Sequence, residues 1–307
     1  MADRVDFRML SADGRSLACY EWPVDNPRAV VLIVHGMAEH AARYGRFAQA
    51  LGDRGFAAVA MDLRGHGRTA AGAAKGFFAA KAGWQTVLGD LQQLTRWAQT
   101  RYDRPVLLLG HSMGSIFARL MLQGFGESFR AAALSGVTVD KPIRRDMAPL
   151  LTGLMCALQG PATPSKLLDD MVFGVWHKPF RAERPTFGWL SRDRAETQAY
   201  VDDPDCGFVC TASLFRDVAQ ALLRTLRADQ VARMPRAVPV LLLSGSCDPA
   251  GEYGAAAREL RRQYERAGLA VTCHVYEDAR HELLNDTCRD EVTRDILDFF
   301  DTVLTPN

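Results

Sequence analysis

Charge of one sign is missing from this 307-residue chain: 37 Lys and Arg against 36 Asp and Glu leave a formal +1 and a pI near 7.6. That balance creates no extended field to gather nucleic acid or anionic lipid, which excludes polyanion binding as the main task. Long hydrophobic runs are missing as well. The longest, Met147 to Leu158, is about a dozen residues, short of the roughly 20 that span a bilayer. The start, Met1-Ala-Asp-Arg-Val-Asp-Phe7, is acidic where a signal peptide is basic, and no apolar segment follows, so export is not expected. Seven cysteines (19, 156, 206, 210, 247, 273, 288) are odd in number and scattered, which leaves no disulfide framework. Reduced thiols in a cytoplasmic setting, peripheral to membranes at most, are the expectation. Neither Gly-x-x-x-x-Gly-Lys-[Ser/Thr] nor Gly-x-Gly-x-x-Gly occurs, so nucleotide binding has no support.

What is present is ordinary globular material, 48% hydrophobic and 24% charged. Val5 to Leu10 and Ser16 to Val24 flank the turn signal Ala12-Asp13-Gly14 and read as a hairpin. Continuous apolar runs follow at Ala29 to Val34, Ala57 to Asp62, Val106 to Gly110, Ala131 to Val137, Pro239 to Gly245 and Val271 to Glu277. Hydrophobicity without alternation marks strands buried on both faces, as in a parallel sheet covered by helices. Helical periodicity at about Arg43 to Arg54, Trp84 to Arg101, Ser112 to Gly124, Glu252 to Ala267 and Glu291 to Leu304 supplies the crossovers. The class is α/β. About a hundred residues between Thr138 and Ala237 exceed any crossover, so residues 138–237 read as a helical cap inserted into a core of 1–137 and 238–307. Within it, Met147 to Leu158, Arg192 to Val201 and Ala212 to Leu226 read as helices, and Pro161 to Trp189 as a Pro- and aromatic-rich loop.

Chemistry concentrates at strand ends. Val106-Leu-Leu-Leu-Gly110 runs into Gly110-His-Ser112-Met-Gly114 and then into a helical pattern. Gly-x-Ser-x-Gly between strand and helix is the strained turn that lifts a serine hydroxyl above the sheet. Serine needs a base, and the base needs an orienting carboxylate. Asp248 follows the strand ending at Gly245, and His281 follows the last strand, giving the order Ser112, Asp248, His281. All three loops leave the same sheet edge, because parallel strands share a C-terminal side. Asp140 and Asp278 are the competing acids. The turn His35-Gly36-Met37 and the residue after the serine offer the backbone N–H groups of Met37 and Met113 as an oxyanion hole. His35 and Glu39-His40 lack the paired histidines on one helical face that zinc sites use, so no metal is assigned, and no cofactor is needed. Asp62 and Arg64, in a Gly-rich loop, read as a structural pair.

These motifs resemble the α/β-hydrolase superfamily, and within it the monoacylglycerol lipase and lysophospholipase-like branch. The matching residues are His35-Gly36-x-x-Glu39-His40-x-x-Arg43-Tyr44, Asp62-x-x-Gly65-His66-Gly67-x-Thr69, Gly110-His-Ser112-Met-Gly114, Asp248-Pro-x-Gly251 and Arg280-His281-Glu282-x-x-Asn285. They span nearly all of the core but not the cap; Thr69 and Asp286 depart mildly from the pattern. The resemblance implies an eight-stranded sheet with its second strand antiparallel, a cap shaping an apolar acyl tunnel, and Glu39 and Arg43-Tyr44 as scaffold around the oxyanion loop. It implies acyl transfer through a serine ester, with a single-chain lipid ester as substrate. Met147, Leu151, Leu154, Met155, Phe187, Trp189 and Phe208 are the candidate substrate-binding residues, and the apolar cap segment also suits transient contact with a membrane surface.

Rival readings are a lysophospholipase, an esterase or perhydrolase acting on small molecules, and an amidase or aminopeptidase, for which Glu183, Asp202, Asp203 and Asp205 of the cap could attract an amino terminus. Ser112 excludes a dehalogenase, which needs aspartate there. A binding protein that has lost activity is the rival from outside the enzymes.

Overall fold

The computed structural model describes residues 3–139 and 142–305. Eight strands form one sheet: β1 (Val5–Leu10), β2 (Ser16–Trp22), β3 (Ala29–Val34), β4 (Phe56–Met61), β5 (Val106–His111), β6 (Ala131–Ser135), β7 (Val240–Gly245) and β8 (Val271–Tyr276), in the order β1-β2-β4-β3-β5-β6-β7-β8. β2 pairs antiparallel with both β1 and β4, and β3 to β8 pair in parallel. The uninterrupted apolar runs have the expected cause. In β3, Val30, Leu32 and Val34 join one core cluster while Val31 and Ile33 join the other, so both faces are buried.

The helices that close these faces are α1 (Gly45–Asp53), α2 (Gly83–Tyr102), α3 (Met113–Phe125), α4 (Pro142–Gln159), α5 (Lys166–Asp169), α6 (Val175–His177), α7 (Arg194–Asp202), α8 (Ala212–Thr225), α9 (Ala228–Val231), α10 (Ala255–Arg266) and α11 (Arg289–Leu304). Phe47 and Leu51 of α1 and Ile296 and Phe300 of α11 cover one face. Leu91 and Leu94 of α2, Ile116 and Phe117 of α3 and Leu260 of α10 cover the other. Helices α4 to α9 lie between β6 and β7, in the segment read as an insertion.

Two expectations are corrected. Pro161 to Trp189 is not a plain loop: α5, a π-helical turn over Asp170–Gly174, α6 and a 3-10 turn over Lys178–Phe180 run end to end. Apolar residues recur there every fourth position (Leu168, Val172, Trp176), a helical period masked by the flanking prolines and aromatics. Nor does Arg64 pair with Asp62. Its guanidinium meets Asp90 and Asp13 at 2.6 Å each, while Asp62 accepts from Tyr20 Oη at 2.7 Å and from the N–H groups of Ala41 and Arg68.

Helix α3 presses directly onto the end of β3 at Gly114, where a Cβ would stand 2.0 Å from the Val34 carbonyl oxygen and 2.6 Å from that of His35. Both obstacles are backbone and cannot swing aside. Gly114→Ala is expected to lower stability by about 3 kcal/mol or more, as overpacking against an immobile neighbour does; an unchanged urea midpoint would show that α3 has slack there.

Candidate active site

Strand β5 delivers Ser112 into a turn that the chain adopts only under constraint. Its φ of 53° and ψ of −120° lie in a region that residues with a side chain rarely occupy. Ser112 N–H donates to the Ser135 carbonyl at the end of β6 (2.9 Å), and Ser115 returns both its N–H and its hydroxyl to the Ser112 carbonyl. Gly110 and Gly114 leave room for the reversal: a Cβ on Gly110 would meet Ala118 Cβ at 2.7 Å. The hydroxyl is thereby raised over the sheet's C-terminal edge.

Two other loops meet it there. His281 Nε2 lies 2.8 Å from Ser112 Oγ, and His281 Nδ1 lies 2.9 Å from Asp248 Oδ2. An ionised carboxylate only accepts, so Nδ1 carries the proton and Nε2 is left with its lone pair toward the hydroxyl. The second oxygen of Asp248 accepts the Ala250 N–H at 2.9 Å. Asp248 and His281 are 0% and 2% exposed. Burial works against an imidazolium, but the charge and hydrogen bond of Asp248 outweigh it and hold the His281 pKa above the usual 6.5. Of the competing acids, Asp278 is exposed and donates its backbone N–H to Ser246 Oγ, and Asp140 lies outside the described residues.

Three further histidines crowd the site without joining this chain of bonds. Burial lowers His35 to about 4, His66 to about 3 and His111 to about 4, the neighbouring rings His35 and His281 adding to the effect at His66 and His111. They are neutral at physiological pH and serve as packing: the His111 ring lies 5.0 Å from that of His281, and His35 Nε2 accepts the Leu63 N–H.

Met37 and Met113 both line the cavity around Ser112, with Gly36, Ile116, Trp176 and Trp189. Met113 opens α3, where N–H groups have no partner within the helix, and the Met37 N–H follows a turn shaped by Glu39, which accepts the Gly36 N–H.

That cavity, about 60 Å³, adjoins a larger one of about 360 Å³ between the inserted helices and core residues such as Met37, Ile116 and Ala250. The two share Met37, Ile116, Thr138, Trp176 and Val218. Of the candidate substrate-binding residues, Met147 and Leu151 line the larger cavity and Trp189 the smaller, its ring 5.0 Å from that of His281. The other four are placed elsewhere. Leu154 is 53% exposed, Met155 packs into the main core, Phe187 rests on Tyr200, and Phe208 on His66. On α4 the apolar residues go all round, so spacing alone did not say which side faces the cavity. Leu168, Met171, Val172, Phe215 and Leu222 also line it and were missed; the first three sit on the helical period hidden in Pro161 to Trp189.

A family model described as "Serine aminopeptidase, S33" matches residues 25–288. The chain belongs to that family: it is an α/β-hydrolase and a serine hydrolase, of the monoacylglycerol lipase-like kind. It is 29% identical to mouse monoglyceride lipase over 296 residues, covering 94% of this chain and 86% of the relative. Among solved structures it is similar to a thermostable carboxyl esterase of Bacillus coagulans in complex with glycerol (TM-score 0.89, 27% identity, 99% of this chain and 100% of that one). A lipase in an open form gives a TM-score of 0.85 at 29% identity, with the same coverage.

Histidine proton NMR reads the electrostatics directly. His281 is expected to hold its second proton to a pH above 6.5 and to lose it only as pH rises through that raised value, whereas His35, His66 and His111 stay neutral down to about 4, 3 and 4. A His281 midpoint below that of free histidine would mean that Asp248 does not offset burial.

Proposed function

We propose that this chain hydrolyses single-chain lipid esters, monoacylglycerols first among them, through an acyl-enzyme on Ser112. The observation that carries this reading is that an apolar cavity of about 360 Å³ adjoins the small cavity around Ser112, with Met37, Ile116, Thr138, Trp176 and Val218 lining both. The larger cavity has the apolar lining and the volume that suit a single fatty chain. The glycerol named with the Bacillus coagulans esterase and the monoglyceride lipase relatives support monoacylglycerols as the substrate.

In the proposed reaction, His281 Nε2 takes the Ser112 proton as Oγ attacks the ester carbonyl, and Asp248 stabilises the resulting imidazolium. The N–H groups of Met37 and Met113 hold the oxyanion. His281 then gives its proton to the departing alcohol, leaving Ser112 acylated. Water attacks the serine ester with His281 again as base, releases the fatty acid and restores the hydroxyl.

In this reading residues 138–237 act as a cap. Met147, Leu150, Leu154 and Leu158 of α4 and Leu167, Met171 and Val175 nearby are exposed. Met147 and Met171 also line the large cavity, so its mouth opens into an apolar face suited to a lipid surface. The aminopeptidase reading loses its acidic residues: Glu183 pairs with Arg280, Asp202 accepts from Gln198, Asp203 binds His40, and Asp205 pairs with Lys75. None of the four lines either cavity.

Fatty-acid release from monoacylglycerols of short to long chain, beside lysophosphatidylcholine and a soluble activated ester, tests this. Medium or long monoacylglycerol should be preferred, and Ser112→Ala should lose about 10⁴-fold or more. Leu150→Glu with Leu154→Glu should slow hydrolysis of vesicle-borne substrate and spare the soluble ester. Equal turnover of the soluble ester with no lipid hydrolysis would replace the lipid reading with that of a small-ester hydrolase.

A further inference from the structure

Where the turn after α7 meets the loop carrying Met37, three side chains with metal-binding chemistry converge. His40, Asp203 and Cys206 bring a ring nitrogen, a carboxylate oxygen and a thiol sulfur within 4.8 Å of one another. The paired-histidine spacing sought around His40 in the sequence is absent, and the partners come instead from a segment 163 residues away.

The cluster stands on backbone that is already joined. Cys206 N–H donates to the Asp203 carbonyl (3.0 Å), closing a turn that sets the two ligands side by side. Asp205 N–H holds Asp203 Oδ1 at 2.8 Å, and Oδ2 is left 2.9 Å from His40 Nε2. Gly207 N–H (2.9 Å) and Tyr200 Oη (2.8 Å) both donate to the carbonyl of Ala38, two residues before His40. Cys206 is 8% exposed, while the His40 and Asp203 side chains keep 15% and 32%, so the cluster is buried on the sulfur side and open on the carboxylate side. The nearby cation Arg43 is already neutralised by Glu39 and Glu282.

We propose that His40 Nε2, Asp203 Oδ2 and Cys206 Sγ form a regulatory site for a thiophilic divalent cation, best matched by zinc, whose binding restrains the oxyanion loop and slows turnover. Imidazole, thiolate and carboxylate together select zinc over magnesium or calcium, and three protein ligands leave a fourth position for water. Bonds of roughly 2.0 to 2.3 Å in a tetrahedron put ligand atoms about 3.4 Å apart. His40 Nε2 and Asp203 Oδ2, 2.9 Å apart, would open slightly to admit the ion. The thiol proton leaves to solvent as the Zn–S bond forms, so one dication meets one carboxylate and one thiolate and the occupied site is neutral. Tightening His40 onto the 203–206 turn acts through Ala38 on Met37, whose N–H is the proposed oxyanion donor.

Titration of the metal-stripped full-length protein with zinc chloride against a chromophoric chelator tests this without reference to lipid. One site per chain is expected, weakened tenfold or more in both Cys206→Ser and His40→Gln and unchanged in Ser112→Ala. Cobalt should give a thiolate charge-transfer band in the parent protein and none in Cys206→Ser, which separates this thiol from the other six. Zinc should also reduce turnover of a soluble ester, reversibly on adding chelator, in the parent but not in Cys206→Ser. The melting temperature of each variant without metal shows that it is folded. Zinc binding that survives both substitutions, or no binding at one equivalent, overturns the site; binding that leaves turnover unchanged overturns its regulatory role.

Discussion

Arg43 reaches between two loops that the chain lays down 239 residues apart, and the geometry around Ser112 depends on what it holds. One nitrogen meets Glu39 at 2.7 Å, and the guanidinium grips Glu282 through two bonds of 2.7 Å, all three side chains being at most 11% exposed. Burial works against both carboxylates, yet Arg43 keeps them below the usual glutamate range, and they in turn raise Arg43. A buried ion pair stabilises little on balance, but breaking it strands charge in the interior, so it fixes position strongly. Glu39 also accepts the Gly36 N–H and Tyr44 Oη and so shapes the turn ahead of Met37, while Glu282 is the neighbour of His281. One cation thus ties the loop carrying Met37 to the loop carrying His281.

The inserted segment enters the same arrangement through its backbone. His281 N–H and Glu282 N–H donate to the carbonyls of Trp189 and Leu190, and Arg280 binds Glu183 through two bonds and the Gly188 carbonyl. The histidine loop is therefore held from the core by Arg43 and from the insertion by the 183–190 stretch. A shift of the insertion that widened the apolar cavity would reach His281 through these bonds.

The core was readable because its signals are local. Gly110-His-Ser112-Met-Gly114 after an apolar run leaves little alternative to a strand, a strained turn and a helix, and parallel strands bring Asp248 and His281 to the same edge whatever lies between. The turn signal Ala12-Asp13-Gly14 made the second strand antiparallel to the first, but its antiparallel pairing with the rest of the sheet followed from resemblance alone. The cavity lining resisted because Leu154 and Leu151 are equally apolar, and only tertiary packing turns one outward and the other in. Arg64 exposes the same limit: Asp62 is close in sequence, but its oxygens are already taken by Tyr20 and two backbone N–H groups, so Arg64 pairs with Asp90 and Asp13.

The central claim is that the Asp248–His281 pair makes Ser112 the single activated nucleophile of the chain. Mass spectrometry after reaction with an alkyl fluorophosphonate tests it most directly, because the reagent forms a stable ester only with a serine made nucleophilic by its neighbours. One adduct per chain, located on the peptide containing Ser112 and absent from His281→Ala, is the predicted result. An adduct on another residue, or labelling of Ser112 that persists without His281, would contradict it.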